Sequence, residues 1–317
     1  MKETVLVTGG LGFIGHNLVN FLLTKDKRVI LVDNESTGDF SRLPENENCV
    51  YYKEDIREYK NIDNIFKKEN PKKVFHLAAL PRVQFSIKEP ILTNSVNVVG
   101  TLNMLEISRT NNVERFIYSA SSSAYGKQKI LPLKEDMLPN PLSPYALQKF
   151  IGEVYCKIYN DIHGLKTISL RYFNVFGPSQ SPDSEYAALI PKFIDLMSKG
   201  QTPKINGDGS NTRDFTSVCD VVLANYMSSE TDNKLAFGEV FNVGGGNQIS
   251  IQDVYEKIRN ILKVEGNVEY GPSVVESNHT KANISKIKEF IGWEPTVSFD
   301  VNLENTVSYI LNKNKKV

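Results

Sequence analysis

A doubly wound parallel α/β sheet over residues 1–176, with a smaller C-terminal α/β lobe over 177–317, is the architecture this sequence predicts. Three observations predict it. Residues 4–33 run strand, glycine loop, helix, strand, acid. Strand-like runs then alternate with amphipathic stretches as far as Pro178, the pattern of βα units joined by right-handed crossovers. After Pro178 the alternation gives way to prolines, polar turns and shorter elements. The two parts are expected to interleave rather than separate cleanly.

Thr4-Val5-Leu6-Val7-Thr8 is rich in β-branched residues and reads as a buried strand. It leads into Gly9-Gly10-Leu11-Gly12-Phe13-Ile14-Gly15, and apolar residues then recur at helical spacing from Phe13 to Leu23. Arg28 to Asp33 reads as a second strand ending on an acid. That context gives the glycines a meaning. They let backbone amides approach a pyrophosphate, and a helix N-terminus adds partial positive charge. Asp33 stands 18 residues after Gly15, where a carboxylate accepts both ribose hydroxyls of a dinucleotide and repels a 2′-phosphate. NAD is therefore expected rather than NADP, on a Rossmann sheet.

A third strand is read at Val50 to Lys53, followed by Asp55 and Ile56, and a helix at Ile62 to Lys68. The fourth strand, Val74 to Ala79, ends in small residues that let a cofactor lie close, and His76 within it reads as packed core. A long amphipathic stretch from Ile91 to Arg109 precedes a fifth strand at Arg115 to Ser119. Ser121-Ser122-Ser123 then place hydroxyls at the carboxyl end of a parallel strand, where open α/β sheets bind ligands. A helix is predicted from Pro144 to His163 with Gly164 as its stop, then a sixth strand at Thr167 to Tyr172. Beyond Pro178 come a helix at Ala188 to Ser198, a turn around Asn206-Gly207-Asp208-Gly209, a strand at Val240 to Val243 and a Ser250-capped helix to Leu262. Polar loops of this lobe are expected to face the strand ends, making the cleft between the two parts the substrate site.

Within Ser143-Pro144-Tyr145-Ala146-Leu147-Gln148-Lys149, a phenol and an ammonium lie one helical turn apart on one face. A free phenol has a pKa near 10, so action as a base near pH 7 needs about 4 kcal/mol of preference for the phenolate. A neighbouring cation supplies part of that, and a cationic cofactor more.

Composition narrows the partners. Lys plus Arg and Asp plus Glu balance at 37 each, which offers no charge-driven route to nucleic acid. Cys49, Cys156 and Cys219 lie far apart, and His16, His76, His163 and His279 are scattered, so no metal site or disulfide framework is expected. With a strand from Thr4 there is no room for a signal peptide, and no apolar run reaches membrane-spanning length. A cytoplasmic protein is expected.

Over nearly the whole chain these motifs resemble the extended short-chain dehydrogenase/reductases, specifically the nucleotide-sugar 4-epimerases. The resemblance rests on Thr8-Gly9-Gly10-x-Gly12-Phe13-Ile14-Gly15, Asp33-Asn34 with Ser36-Thr37-Gly38, Asp55-Ile56, His76-Leu77-Ala78-Ala79, the Ser121 run, Tyr145 with Lys149, and Arg171 to Pro178. The chain looks most like the bacterial UDP-N-acetylglucosamine 4-epimerases through Ser119 to Gly126, Tyr186 to Lys192 and Ile205 to Gly209. The resemblance implies reversible C4 epimerisation of a UDP-hexose through a 4-keto sugar, with UDP-GlcNAc and UDP-GalNAc the favoured pair. Tyr145 would take the proton of the sugar 4-hydroxyl while hydride passes to NAD, Ser121 would relay it, and Lys149 would bind the nicotinamide ribose and hold the phenolate. Cofactor contacts are implied at Gly9, Gly12, Phe13, Ile14, Gly15, Asp33, Asn34, Ser36, Thr37, Gly38, Asp55, Ile56, Leu77, Ala78, Ala79, Ser119 and Tyr172, with Tyr145 and Lys149. Substrate contacts are implied at Ser121, Ser122, Ser123, Tyr145, Asn174, Arg213, Glu276 and Thr280. Asn174 and Arg213 match diphosphate positions, where forked donors suit phosphate oxygens.

Two departures stand out. Glu276 matches the family's C-terminal acid, but the Arg usual three residues earlier is Ser273, and the usual Ala-Asp-x-Ser is Ala282-Asn283-Ile284-Ser285. Thr280 occupies the position that gates sugar size, and its small side chain leaves room for an N-acetyl group. Related dehydratases and decarboxylases carry an Asp-Glu pair or a Glu after the catalytic hydroxyl, where Ser122 and Ser123 stand here. A UDP-glucose/UDP-galactose epimerase is the other alternative, and non-catalytic NAD-binding regulators of this fold typically lose the Tyr or the Lys. The family also implies a homodimer, built on the helices read at 91–109 and 144–163.

Overall fold

The computed structural model describes residues 2–182, 188–272 and 279–314. The first part alternates β1 (Thr4–Thr8), α1 (Phe13–Thr24), β2 (Arg28–Asp33), β3 (Cys49–Lys53), α2 (Tyr59–Glu69) and β4 (Lys73–His76). Next come α3 (Val83–Lys88), α4 (Pro90–Asn94), a π-helical stretch at Ser95–Gly100, α5 (Thr101–Thr110), β5 (Arg115–Ser121), α6 (Pro144–His163) and β6 (Thr167–Tyr172). The rest supplies β7 (Val175–Phe176), α7 (Leu189–Ser198), β8 (Lys204–Asn206), β9 (Thr212–Arg213), β10 (Thr216–Ser217), α8 (Val218–Glu230), β11 (Val240–Val243), β12 (Ile249–Ser250), α9 (Ile251–Leu262), β13 (Glu269–Gly271), α10 (Ser285–Ile291) and α11 (Phe299–Asn314).

Seven parallel strands form the central sheet in the order β11-β6-β5-β4-β1-β2-β3. Strand order reverses between β1 and β4, so a crevice opens there at the carboxyl ends. β11 lies far along the chain, yet it pairs with β6, Asn242 opposite Arg171. The sheet therefore takes an edge strand and a covering helix from beyond residue 177.

Both faces are covered, as apolar runs on both sides of a parallel strand require. On one face Leu18 and Leu22 of α1 meet Val221 and Val222 of α8 over Val5, Val7 and Phe241. On the other, Ile62, Phe66, Met104, Leu105 and Cys156 pack over Leu6, Ile30 and Phe116. A third core joins α7, α9 and α11 through Phe193, Ile194, Ile258, Leu303 and Val307.

Several element ends differ from expectation for local reasons. β4 stops at His76 because Leu77 N still bonds Thr8 O (3.2 Å), whereas Ala78 N turns to the Thr8 hydroxyl (3.2 Å), ending the ladder where the chain leaves to line the cleft. α2 starts at Tyr59 rather than Ile62, because Tyr59, Lys60 and Asn61 are exposed and give sequence spacing no apolar stripe to register. The amphipathic stretch is helical from Pro90 to Thr110 but opens into a π-helix at Ser95–Gly100, a departure frequent at functional sites.

α6 is built as its sequence dictates. Ser143 Oγ accepts from Ala146 N (3.2 Å), Pro144 opens the helix, and Gly164 ends it at φ 71°. A Cβ on Gly152 would lie 2.2 Å from the Tyr118 hydroxyl, so only glycine lets α6 lie this close to β5. That closeness places Lys149 at the strand's end.

Candidate active site

One cleft of about 1550 Å³ runs along the carboxyl ends of the strands, from Gly9 past Tyr145 to Arg213 and Thr280. Sites for a single small ligand usually span about 300–1,000 Å³, so this cleft has room for two ligands side by side.

At the glycine end, Gly9 turns at φ 69°, and a Cβ on Gly15 would fall 2.0 Å from Gly9 O. Glycine at 15 is what allows the loop to fold onto the start of α1. Gly12 caps α1 without a side-chain bond, and the first turn of the helix holds no acidic residue, which suits an anion at its N-terminus. Phe13 and Ile14 line the same wall. Asp33 ends β2 with Oδ2 accepting from Leu11 N (3.0 Å) and Oδ1 from Glu35 N (2.8 Å). Each oxygen keeps a lone pair for a ligand. Burial raises the Asp33 carboxyl, against the pull of those two amides.

Asn34 donates to Asp55 Oδ2 (2.8 Å) and accepts from Ser36 N (3.0 Å), fixing the loop. Arg57 grips Asp55 through two nitrogens (2.9 and 2.8 Å) and holds its carboxyl down at about 2. Ser36, Thr37, Asp55, Ile56, Leu77, Ala78 and Ala79 line the cleft. Gly38 stands behind Asp33 instead, where a Cβ would meet Oδ1 at 2.7 Å. The donors and spaces of this half fit a dinucleotide: free helix-terminal amides, close backbone, and a carboxylate at the end of β2.

Tyr145 sits mid-cleft on the first turn of α6. Burial pushes its phenol up, while the neighbouring Ser121 hydroxyl and the charge of Arg82 act the other way. Ser121 Oγ also accepts from Ser123 N (3.2 Å) and Ser123 Oγ (2.9 Å). Lys149 is buried one turn further on, its Nζ donating to Ser119 O (2.8 Å) and lying 5.0 Å from the Tyr118 ring centre. Burial lowers its ammonium to about 8, which leaves it about nine-tenths protonated at pH 7. Below it, His76 is buried between the hydroxyls of Thr8 (2.8 Å) and Thr101 (3.0 Å), and is pushed down to about 3 by burial and then by Lys149. It is packed core. Ser119 Oγ and the Tyr172 hydroxyl bond each other (3.0 Å), and Asn225 completes that network.

At the far end Ser122, Ser123, Asn174, Arg213 and Thr280 line the cleft. Arg213 Nη1 donates to Thr212 O (3.0 Å), and Thr280 Oγ1 accepts from Asp214 N (3.2 Å). Ser273 and Glu276 lie outside the described residues. Among the described residues no group of three or more His, Cys, Asp or Glu could hold a metal ion, and no helix is long and apolar enough to cross a membrane.

Sequence reasoning missed three supports. Asp214 Oδ2 accepts from Ala282 N (2.8 Å) and Gly246 N (3.2 Å), tying the 244–246 turn to the segment that carries Thr280; burial lifts its carboxyl to about 7. Asn97, in the π-helical stretch, holds Leu80 and Gln148. Arg82 enters the cleft from the segment after β4. No motif marks any of them, although a basic residue just past a strand's carboxyl end was a usable signal for Arg82.

A family model described as GDP-mannose 4,6 dehydratase matches residues 6–306. Among solved structures, the chain is 38% identical to the UDP-N-acetylglucosamine 4-epimerase of Methanobrevibacter ruminantium in complex with UDP-N-acetylmuramic acid, with a TM-score of 0.93 over 99% of this chain and 100% of that one. It is 35% identical to the UDP-glucose 4-epimerase of Thermotoga maritima with UDP-glucose, with a TM-score of 0.94 over 98% and 100%. A third, the UDP-glucuronic acid 4-epimerase of Bacillus cereus in complex with UDP-glucuronic acid and NAD, is 33% identical, with a TM-score of 0.91 over 98% and 100%.

Proposed function

The chain belongs to the GDP-mannose 4,6-dehydratase family, within the extended short-chain dehydrogenase/reductases, and from that premise we propose that it is an NAD-dependent enzyme that reversibly epimerises C4 of a UDP-hexose, favouring the UDP-GlcNAc/UDP-GalNAc pair. The observation that carries this reading is the placing of Ser121, Tyr145 and Lys149 at the middle of one cleft, with a dinucleotide-shaped half on one side and Arg213 and Thr280 on the other. Residues 1–176 hold the cofactor and 177–317 close over the sugar nucleotide.

Tyr145 accepts the proton of the 4-hydroxyl, and Ser121, whose hydroxyl lines the same part of the cleft, shares it. Lys149 stays charged near neutrality and keeps the surroundings favourable to the phenolate. NAD, held by the glycine loop, Asp33 and Lys149, would supply the hydride acceptor and donor that interconversion at C4 requires. Asn174 and Arg213 hold the diphosphate while the sugar turns over in the cleft. Ser122 and Ser123 carry no carboxyl to move further protons, which favours epimerisation over dehydration or decarboxylation. Thr280, small and lining the cleft, favours an N-acetylated sugar.

We also propose a homodimer through α4–α5 and α6. Ile91 and Val99 on the first, and Leu147, Val154, Ile158 and Ile162 along one side of the second, are exposed. Exposed apolar side chains of this kind on two adjacent long helices fit a partner copy.

Purified protein incubated with UDP-GlcNAc, UDP-glucose and UDP-glucuronic acid, with products resolved by chromatography, tests the reaction. A C4 epimer of UDP-GlcNAc formed faster than the others supports it. No epimer from any substrate, or a dehydrated or decarboxylated product, overturns it.

A further inference from the structure

Arg82 lies between β4 and α3, lines the cleft with Tyr145, and is half-buried. Its carbonyl accepts from Ser86 N (2.9 Å), but its guanidinium makes no hydrogen bond or ion pair with the described residues. A guanidinium withdrawn from water without a fixed partner is costly unless something in the site uses its charge.

We propose that Arg82 is a positioning residue for the proton transfer, placing a second fixed positive charge on Tyr145 so that the phenolate is favoured. This rests on Tyr145 being the proton acceptor.

The backbone around Arg82 is tied to α6 at two points. Asn97, itself buried, accepts from Leu80 N (2.8 Å), donates to Leu80 O (3.2 Å), and donates to Gln148 Oε1 on α6 (2.8 Å). Ser86 Oγ then accepts from Tyr145 N itself (3.1 Å). The segment that carries Arg82 is thus anchored on both sides to the helix turn that carries the phenol. Lys149, by contrast, already gives its ammonium to Ser119 O and the Tyr118 ring.

The charged and titratable groups around the phenol are few. Lys149 lies one turn along α6 with Glu153 a turn beyond, and Tyr118 faces it from β5, where burial and the neighbouring acidic groups keep that second phenol protonated. Ser121 contributes a neutral hydroxyl. Arg82 is the cation contributed by the β4–α3 segment, and its field and that of Tyr145 favour each other's charged forms.

The test reads Tyr145 directly. In NAD-loaded protein without substrate, phenolate absorbance is titrated from pH 6 to 11 and the Tyr145→Phe curve is subtracted. Arg82→Gln moves the Tyr145 midpoint to higher pH, and Arg82→Lys restores it towards wild type. In turnover of UDP-GlcNAc, Arg82→Gln lowers kcat at pH 7 by about tenfold with KM little changed, and moves the acid limb of the pH profile upward. An unmoved midpoint in Arg82→Gln overturns the proposal, and a raised KM at constant kcat gives Arg82 to an anionic group of the substrate instead. If wild type yields no epimer, the proposed reaction falls, but the substrate-free titration still decides the role of Arg82.

Discussion

Replacing Lys149 by Met should stabilise the folded chain while removing most of its turnover. Lys149 is 5% exposed, and burial holds its ammonium at about 8 against an ordinary 10.5. A lysine whose folded pKa lies below its unfolded one is protonated more readily in the unfolded chain, so its charge opposes folding. That opposition is complete below pH 8 and fades as pH rises towards 10.5. At pH 7 it amounts to about 3 kcal/mol. Methionine also forgoes the bond to Ser119 O, and the loss of a charged hydrogen bond offsets about 1–2 kcal/mol of the gain. The net expectation is a gain of about 1–2 kcal/mol at pH 7 that disappears by pH 10.5. Equilibrium urea unfolding of both proteins, freed of nucleotide so that cofactor affinity does not shift the midpoint, reads this at the two pH values. A mutant less stable than wild type at pH 7, or a difference equal at both pH values, would refute the reasoning.

Tyr145→Phe should reduce turnover by about 10²–10⁴-fold while leaving NAD content unchanged, as measured by nucleotide release on denaturation. Arg171→Met strands Glu153, whose carboxylate Arg171 grips at 2.9 and 2.7 Å in the core, and should cost about 3–5 kcal/mol in urea unfolding. Adding Glu153→Met should recover most of that loss. Leu147→Asp with Ile158→Asp should convert a dimer to a monomer by light scattering, and a wild-type monomer would remove the proposed interface.

Much of the sheet is legible because its signals are local. α6 runs from Pro144 to His163 as read, since Ser143, Pro144 and Gly164 fix its ends by backbone chemistry that needs no tertiary context. β2, β6 and β11 likewise fall where β-branched and apolar runs place them. Partnership is another matter: nothing in Val240-Phe241-Asn242-Val243 says that it pairs with β6, because a parallel strand is chosen by what covers it. α8 escaped detection for a related reason. Val221, Val222, Ala224, Asn225 and Ser228 are all buried, so the helix carries no polar stripe to set off an apolar one. In the cleft, the glycines, Asp33, Ser121 and Tyr145 belong to patterns with a mechanism. Arg82 and Asn97 act through position alone, one as a charge and the other as a clamp on Leu80, and their placement depends on a π-helical stretch that no spacing rule foresees.

The central claim is that C4 is oxidised and reduced within one bound complex, its own hydrogen returning to the opposite face. UDP-GlcNAc bearing deuterium at C4, incubated with the enzyme in ordinary water and followed by NMR and mass spectrometry, tests this most directly. The account predicts UDP-GalNAc that keeps its deuterium at C4. Epimer that has lost the label to solvent, or labelled substrate recovered without any epimer, would contradict it.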